Sequence, residues 1–506
     1  VRIQNYYERQ RRRECKNETM RRREFLAMAG AAPLASATRL AGAAVPASKM
    51  AADPHRPQYH LLPAANWMND PNGPIYWHGK YHMFYQYNPN GAFWGDMHWG
   101  HAVSEDMVRW KHLPVALAPT PGGPDKDGVF SGCAVIDNGV PTVIYTGVNP
   151  EVQCIATSDN ALSTWKKYSG NPVIAGPPDG MAVAGFRDPA VWQESGAWLM
   201  AVGSGFRGKG GAVLLYESKD LRHWTYLHPL ITGKVPPGAT AKDPVDSGEM
   251  WECPDFFPLG ESHLLIISTE RVVRYMVGRY RDRRFQADTI GGVDYGSYYA
   301  ARTMTNTGDR RILWGWLTES RSADAQRAAG WSGVMSLPRE LSLQGARLLM
   351  RPAAEVERLR GRRLGADAAG DCLEIVAEID PGSAPQAGLK VRAAADGSEQ
   401  TLIYYDRAAK RLSVDRSKSS VDASADRAMQ SGPFLLGRGE PLRLHVFLDG
   451  SVIEIFANER ACLTARVYPT GARSTGLSLY ASGGQAKIVS MDVWEMHPIS
   501  NNRLTT

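Results

Sequence analysis

Cysteine is scarce in this chain, six in 506 residues. Cys15, Cys133, Cys154, Cys253, Cys372 and Cys462 lie far apart with no paired short spacing, which excludes a disulfide framework and the common zinc motifs. Cys133 and Cys253 read as small buried packing residues rather than nucleophiles. Long apolar runs are also missing, and no segment reads as a membrane-spanning helix. An excess of charge of either sign is nearly absent from the body of the chain. The formal total is +6, but residues 1–49 hold 11 Lys/Arg against 4 Glu, a local +7 that leaves about −1 for the rest. A nucleic-acid binder needs a basic stripe on its folded surface, and a body without a basic excess argues against that reading. What remains is a globular composition, 43% hydrophobic, long enough for two or three buried cores.

The leader has its own pattern. Arg22-Arg23-Glu24-Phe25-Leu26 precedes the small, weakly apolar run Ala27 to Ala37, and small residues continue from Ala35 to Ala44. The pattern resembles a twin-arginine export signal with a signal-peptidase site. It implies a leader over 1–49, translation from Met20, and a protein that is periplasmic or extracellular and free of the membrane once the signal is removed.

From about residue 60 to 350, short β-type runs alternate with Gly, Pro, Asn and Asp, as in Tyr81 to Tyr87, Val143 to Thr146 and His263 to Ser268. A weak repeat crosses this region. Ser104-Glu105-Asp106 precedes Trp110, Ser158-Asp159 precedes Trp165, and Ser218-Lys219-Asp220 precedes Trp224, with the tryptophans 55 and 59 residues apart. That period suits one four-stranded propeller blade with its loops. The expectation is an all-β fold, a five-bladed β-propeller over 55–350. A short charged helix or linker follows over 351–362. A separate C-terminal β-sandwich over 363–498 is then signalled by the alternation in Leu373 to Ile379 and by the hairpin turn Asp449-Gly450.

Three acids stand one or two residues before prolines among aromatics and glycines: Asp70 in Trp67-Met68-Asn69-Asp70-Pro71-Asn72-Gly73, Asp188 in Phe186-Arg187-Asp188-Pro189, and Glu252 in Trp251-Glu252-Cys253-Pro254-Asp255. A proline after such an acid restricts the backbone and holds the carboxylate in place. Alone, each string is equally a surface turn or a structural ion pair. In a propeller, however, the innermost strands converge on the axis, so acids on three blades meet in one funnel. Glycoside hydrolysis needs such a set, one carboxylate as nucleophile and one carboxylic acid to protonate the leaving oxygen. Trp67, Trp94, Trp99, Tyr85, Gln86 and Tyr87 supply flat apolar faces and amide donors for sugar rings.

The order of motifs from His60 to Leu341 resembles glycoside hydrolase family 32, the invertases, levanases and inulinases. The resemblance rests on Trp67 to Gly73, Phe84 to Pro89, Trp99-Gly100-His101, Phe130-Ser131-Gly132, Phe186 to Pro189, Trp251 to Asp255, Asp294-Tyr295-Gly296, Tyr298-Tyr299-Ala300, Gly315-Trp316 and Ser336 to Glu340. Ser451 to Asn458 and Gly476 to Met496 resemble the family's C-terminal sandwich.

The resemblance implies Asp70 as nucleophile, Glu252 as general acid/base and Asp188 as transition-state stabiliser, with Arg187 steadying the carboxylates. It also implies a fructose pocket lined by Asn69, Gln86, Trp94, Phe130, Ser131 and Tyr299. Arg187 is expected to keep its neighbouring acid ionised, and Glu252, crowded by like charges, to hold the catalytic proton. Asp255 reads as a supporting acid. The chemistry calls for no cofactor and no metal, and the partner is a small sugar or oligosaccharide. Cys133 stands where many relatives have Ser. The stretch Leu317-Thr318-Glu319-Ser320 resembles plant invertases, which favours sucrose while leaving the leaving-group side open. The alternatives are an exo-levanase or exo-inulinase, an inverting propeller glycosidase, and a non-catalytic sugar-binding protein. Oligomeric state is not legible.

Overall fold

A computed structural model describes residues 44–501 apart from 160 and 366, together with residue 504. The arginine pair and apolar run of the leader lie outside the described residues. Among the described residues, helix is confined to Ala47–Ala51, Ala323–Ala329 and the 3-10 turn Ala354–Leu359. The rest of their regular structure is strand.

The first four sheets are meanders in chain order. The first contains Asn66–Trp77, Lys80–Asn88, His98–Ser104 and Trp110–Leu117; the second contains Val129–Asp137, Val140–Gly147, Val152–Ser158 and Trp165–Lys167. Phe186–Glu194, Ala197–Phe206, Gly210–Ser218 and Trp224–Thr232 form the third, and Glu252–Leu259, Ser262–Thr269, Val272–Arg281 and Arg284–Asp294 the fourth. The fifth joins Tyr298–Thr303, Ile312–Leu317, Arg339–Gln344 and Arg347–Pro352. The leading strand of each sheet packs on that of the next, and Tyr298–Thr303 packs back on Asn66–Trp77, which closes a ring. A short strand, Trp331–Ser332, pairs in parallel with Asn66–Trp67 and carries chain from the fifth sheet onto the first.

Turn chemistry explains the regularity. His78-Gly79, Asn138-Gly139 and Ser195-Gly196 join the first two strands of three sheets with positive φ at both positions, the backbone that a tight hairpin needs. The Ser-Asp-Trp repeat occupies the hairpin between the third and fourth strands. Ser104 pairs with Trp110, Ser158 with Trp165 and Ser218 with Trp224. The aspartates cap these turns, Asp106 accepting from Arg109 N at 2.7 Å and Asp220 from His223 N at 2.9 Å.

The C-terminal region packs a six-stranded sheet on a five-stranded one, with Ile375, Leu389, Ile403, Val446 and Ile455 buried between them. Asp449 and Gly450 turn the expected hairpin. The sandwich is packed closely on the ring. Phe447, Val452, Phe456 and Met496 share one core with Leu313, Trp331, Leu341 and Met350 of the ring, and Val356 and Leu359 of the expected linker are buried in it. Arg351-Pro352 belongs to the last strand of the fifth sheet. The reason is that Ala353 to Leu359 carries apolar residues at the spacing of a 3-10 turn, which face the shared core.

Candidate active site

Each leading strand leaves its ladder register near the acids or their neighbours, the first of them at a second point as well, between Asn72 and Ile75. Met68 pairs with Tyr87 and Pro71 with Tyr85, so Asn69 and Asp70 together face Gln86. In the same way Asp188 and Pro189 face Val202, Cys253 and Pro254 face Ile267, and Ala300 and Ala301 face Gly315. In the second sheet Ser131 is the extra residue between the paired Phe130 and Gly132. A bulge bends its strand and re-aims a side chain, and Pro71, Pro189 and Pro254 donate nothing to the interrupted ladder. Asp188, Cys253 and Ala300 adopt left-handed φ of +62°, +48° and +54°, a strained backbone that persists where its surroundings fix it.

The bulges bring the three acids together. Asp70 is half-buried, accepting from Ser131 Oγ at 2.7 Å and from Asn69 Nδ2 at 2.8 Å, while Asn69 Oδ1 accepts from Trp67 Nε1 at 2.6 Å. Cys253 Sγ lies 3.7 Å from Asp70 Oδ2 and 3.6 Å from Asp188 Oδ2, so one thiol touches both carboxylates. Asp188 Oδ2 also accepts from Cys253 N at 3.0 Å, and its own amide donates to Thr146 Oγ1 at 3.0 Å. Glu252, one residue before that cysteine, accepts from Arg187 Nη2 at 2.6 Å and Nε at 3.1 Å on Oε1, and from Tyr299 OH at 2.7 Å on Oε2.

The electrostatics correct one expectation. The guanidinium of Arg187 turns to Glu252 and Glu151, donating to Glu151 Oε1 at 2.8 Å. It offsets only part of the burial of Asp188, whose pKa is pushed up to about 7 by desolvation, with Glu252 and Asp70 adding to the rise. The carboxyl next to Arg187 in sequence is thus raised, where it was expected to stay low. Burial raises Asp70 as well, and Ser131 and Asn69 oppose the rise. Desolvation lifts the Cys253 thiol well above its ordinary value, which suits a protonated packing residue. Cys133 is likewise buried, its thiol pushed up to about 12 by burial.

Of the other expected residues, Gln86 lies opposite the Asn69-Asp70 bulge. Gln86 is buried and donates Nε2 to Val129 O at 3.0 Å, tying the first sheet to the second. Trp94 is 60% exposed and meets Phe130 edge to face at 6.1 Å, an apolar wall open to solvent. Asp255 accepts from Thr303 N at 2.6 Å, which ties the fourth sheet to the fifth. Glu319 is turned away from any leaving-group role: it bonds Tyr468 of the sandwich and pairs with Arg321. Sequence reasoning missed Glu151 and Thr146, which stand outside every motif, and gave no role to the Cys253 amide. Trp316, quoted only as a motif residue, stacks obliquely on Trp67 at 5.8 Å.

Residues 60–352 match the family model for the glycosyl hydrolases family 32 N-terminal domain, and residues 349–495 match that for the family's C-terminal region. The chain belongs to glycosyl hydrolase family 32. It is an enzyme of that family, a hydrolase of the β-fructofuranosidase class. This family 32 hydrolase is 36% identical to the sucrose-6-phosphate hydrolase of Escherichia coli, across 87% of this chain and 94% of that protein. It is 34% identical to the levanase of Bacillus subtilis (strain 168), across 88% of this chain and 70% of the levanase. Among solved structures, fructan 1-exohydrolase IIa from Cichorium intybus superposes with a TM-score of 0.79 at 29% identity, covering 88% of this chain and 98% of that one.

Proposed function

We propose that this family 32 hydrolase is an exo-acting, retaining β-fructofuranosidase that favours sucrose and also accepts short fructans. The observation that carries the reading is the convergence of Asp70 and Asp188, from the bulges of two leading strands, on Cys253 in the bulge of a third, with Glu252 immediately before it. We read the closed ring of sheets as a five-bladed propeller over 55–350, its funnel holding these acids, with a sandwich over 363–498.

Asp70, anchored by Ser131 and Asn69, is the nucleophile. Its carboxylate attacks the anomeric carbon of a fructosyl unit while Glu252 protonates the leaving oxygen. Water, deprotonated by Glu252, then releases fructose from the ester on Asp70. Burial pushes the Asp188 carboxyl up to about 7, so this group keeps a proton close to neutrality. Asp188 accepts hydrogen bonds from fructose hydroxyls. Arg187 and Tyr299 orient Glu252, and Asn69, Gln86, Trp94, Phe130 and Ser131 line the pocket, Trp94 offering a flat face at its rim. The names of the relatives include a phosphorylated sucrose and levan, so sucrose preference rests on the plant-like stretch from Ile312 to Leu337.

Asp70→Asn and Glu252→Ala should each cut turnover about 10³-fold or more, since each group lowers the barrier by several kcal/mol, with unchanged thermal melting. Assays on sucrose, levan and inulin side by side give the ranking. Near-parental turnover of all three by either variant removes the assigned roles.

A further inference from the structure

The catalytic role given to Glu252 depends on Tyr299, whose hydroxyl donates to Glu252 Oε2 at 2.7 Å. Tyr299 is the second residue of Tyr298–Thr303, and what fixes the start of that strand comes from the C-terminal sandwich. Along Ala461–Arg466, Cys462 O accepts from Tyr295 N at 3.1 Å and Thr464 O from Ser297 N at 2.7 Å. Thr464 returns the contact, donating its amide to Asp294 Oδ1 at 2.9 Å and its hydroxyl to Asp294 Oδ2 at 2.7 Å. The approach is close enough that a Cβ on Gly296 would fall 1.9 Å from Thr464 O.

A buried ion network backs this seam. The Arg339 guanidinium lies 4.1 Å from the centre of the Tyr298 ring. It donates Nη2 to Glu454 Oε2 at 2.6 Å and to Thr464 Oγ1 at 2.9 Å, and Nη1 pairs with Asp294 at 2.9 Å. Glu454 Oε1 accepts from Leu337 N at 2.7 Å and meets His60 Nε2 at 3.1 Å. The next residue back, Ser336, accepts from Gly315 N at 3.0 Å, opposite the bulge of the Tyr299 strand. The side chains of Arg339, Asp294, Glu454 and His60 are all 0% exposed. Burying five charges, with Asp449 on His60 Nδ1, weakens the case for a purely stabilising role, because such networks seldom outdo apolar packing in stability.

We propose that Thr464 and Glu454, both on the sandwich, are positioning residues for hydrolysis: they seat the Tyr298–Tyr299 segment and through it orient the Glu252 carboxyl. The sandwich is thereby part of the catalytic apparatus. The inference rests on Glu252 being the acid/base.

The test compares kcat and KM on sucrose, far below the melting temperature, for Thr464→Val, Thr464→Ser, Gln430→Ala and Glu374→Gln in the full chain. Thr464→Val removes the hydroxyl shared by Asp294 and Arg339, and Thr464→Ser restores it. Gln430→Ala removes only the bond from the half-buried Gln430 to Ser297 Oγ, 3.0 Å, and so reports even where Thr464→Val fails to fold. Glu374→Gln breaks another buried cluster of the sandwich, with Arg360 and His445, which does not touch the Tyr298 segment.

Thr464→Val should lower kcat roughly 10-fold or more with KM within about twofold, and Gln430→Ala should lower kcat about threefold. Thr464→Ser should return kcat to the parental value, and Glu374→Gln should lower melting while leaving kcat and KM unchanged. The loss in Thr464→Val should shrink on a nitrophenyl β-fructofuranoside, whose leaving group needs little protonation. Parental kcat in both Thr464→Val and Gln430→Ala, or an equal kcat loss in Glu374→Gln, overturns the inference. If Glu252→Ala is inactive while those two variants keep full kcat, this inference alone falls. If Glu252→Ala is itself fully active, the functional reading falls with it.

Discussion

Asp188 carries the clearest consequence for single residues. Its ordinary pKa of 3.8 is pushed up to about 7, chiefly by burial. The unfolded chain sheds this proton near pH 4, whereas the folded chain keeps it to about pH 7. Stability from this group is therefore full below about pH 4 and declines as pH rises toward 7, by up to roughly 4 kcal/mol. Asp188→Asn stays neutral and can still accept from Cys253 N, so it escapes the decline. It should melt above the parent at pH 8 and close to it at pH 4, at the expense of activity. Calorimetry at the two pH values decides, and equal melting differences at both would contradict the electrostatic account. At this scale the sequence was legible where an acid abutted a proline. It was silent on Glu151, because a residue 36 positions before Arg187 reaches it only through the ring, and on Arg187 turning to Glu252, a choice made by side-chain reach across two sheets.

Among elements, the bulge is the device that makes the site. Short β-runs, the Ser-Asp-Trp repeat and the Asp449-Gly450 turn were readable because each is local in sequence. The bulges were not, since a two-against-one register exists only relative to the partner strand; Pro71, Pro189 and Pro254 were their visible trace. The X-Gly hairpins at Gly79, Gly139 and Gly196 repeat at about the same period as the tryptophans and would have reinforced the sheet count. Gly203 tests the geometry. It pairs with Arg187 beside the Asp188 bulge, and a Cβ there would stand 2.5 Å from Trp251 O and 2.9 Å from Arg187 O. Backbone must then separate the strands bearing Asp188 and Glu252. Gly203→Ala should cost about 1–3 kcal/mol in denaturant unfolding and lower kcat roughly 10-fold or more; parental values of both would show that this packing does not set the site.

For the whole molecule, ring and sandwich share one core, so the boundary near residue 350 is a change of topology rather than a flexible joint, something composition alone could not reveal. We propose that the protein is exported by the twin-arginine route. Replacing Arg22 and Arg23 with Lys should then retain it in the cytoplasm on cell fractionation, because that route reads the arginine pair rather than charge, and continued export of the variant would remove the assignment. The central claim is that Asp70 is a nucleophile and the reaction a double displacement. Fructose has no proton on its anomeric carbon, so the direct measurement is carbon NMR of the first product released from sucrose, recorded before mutarotation. The account predicts β-fructofuranose as the initial product, with the configuration of the substrate, and initial release of α-fructofuranose would contradict it.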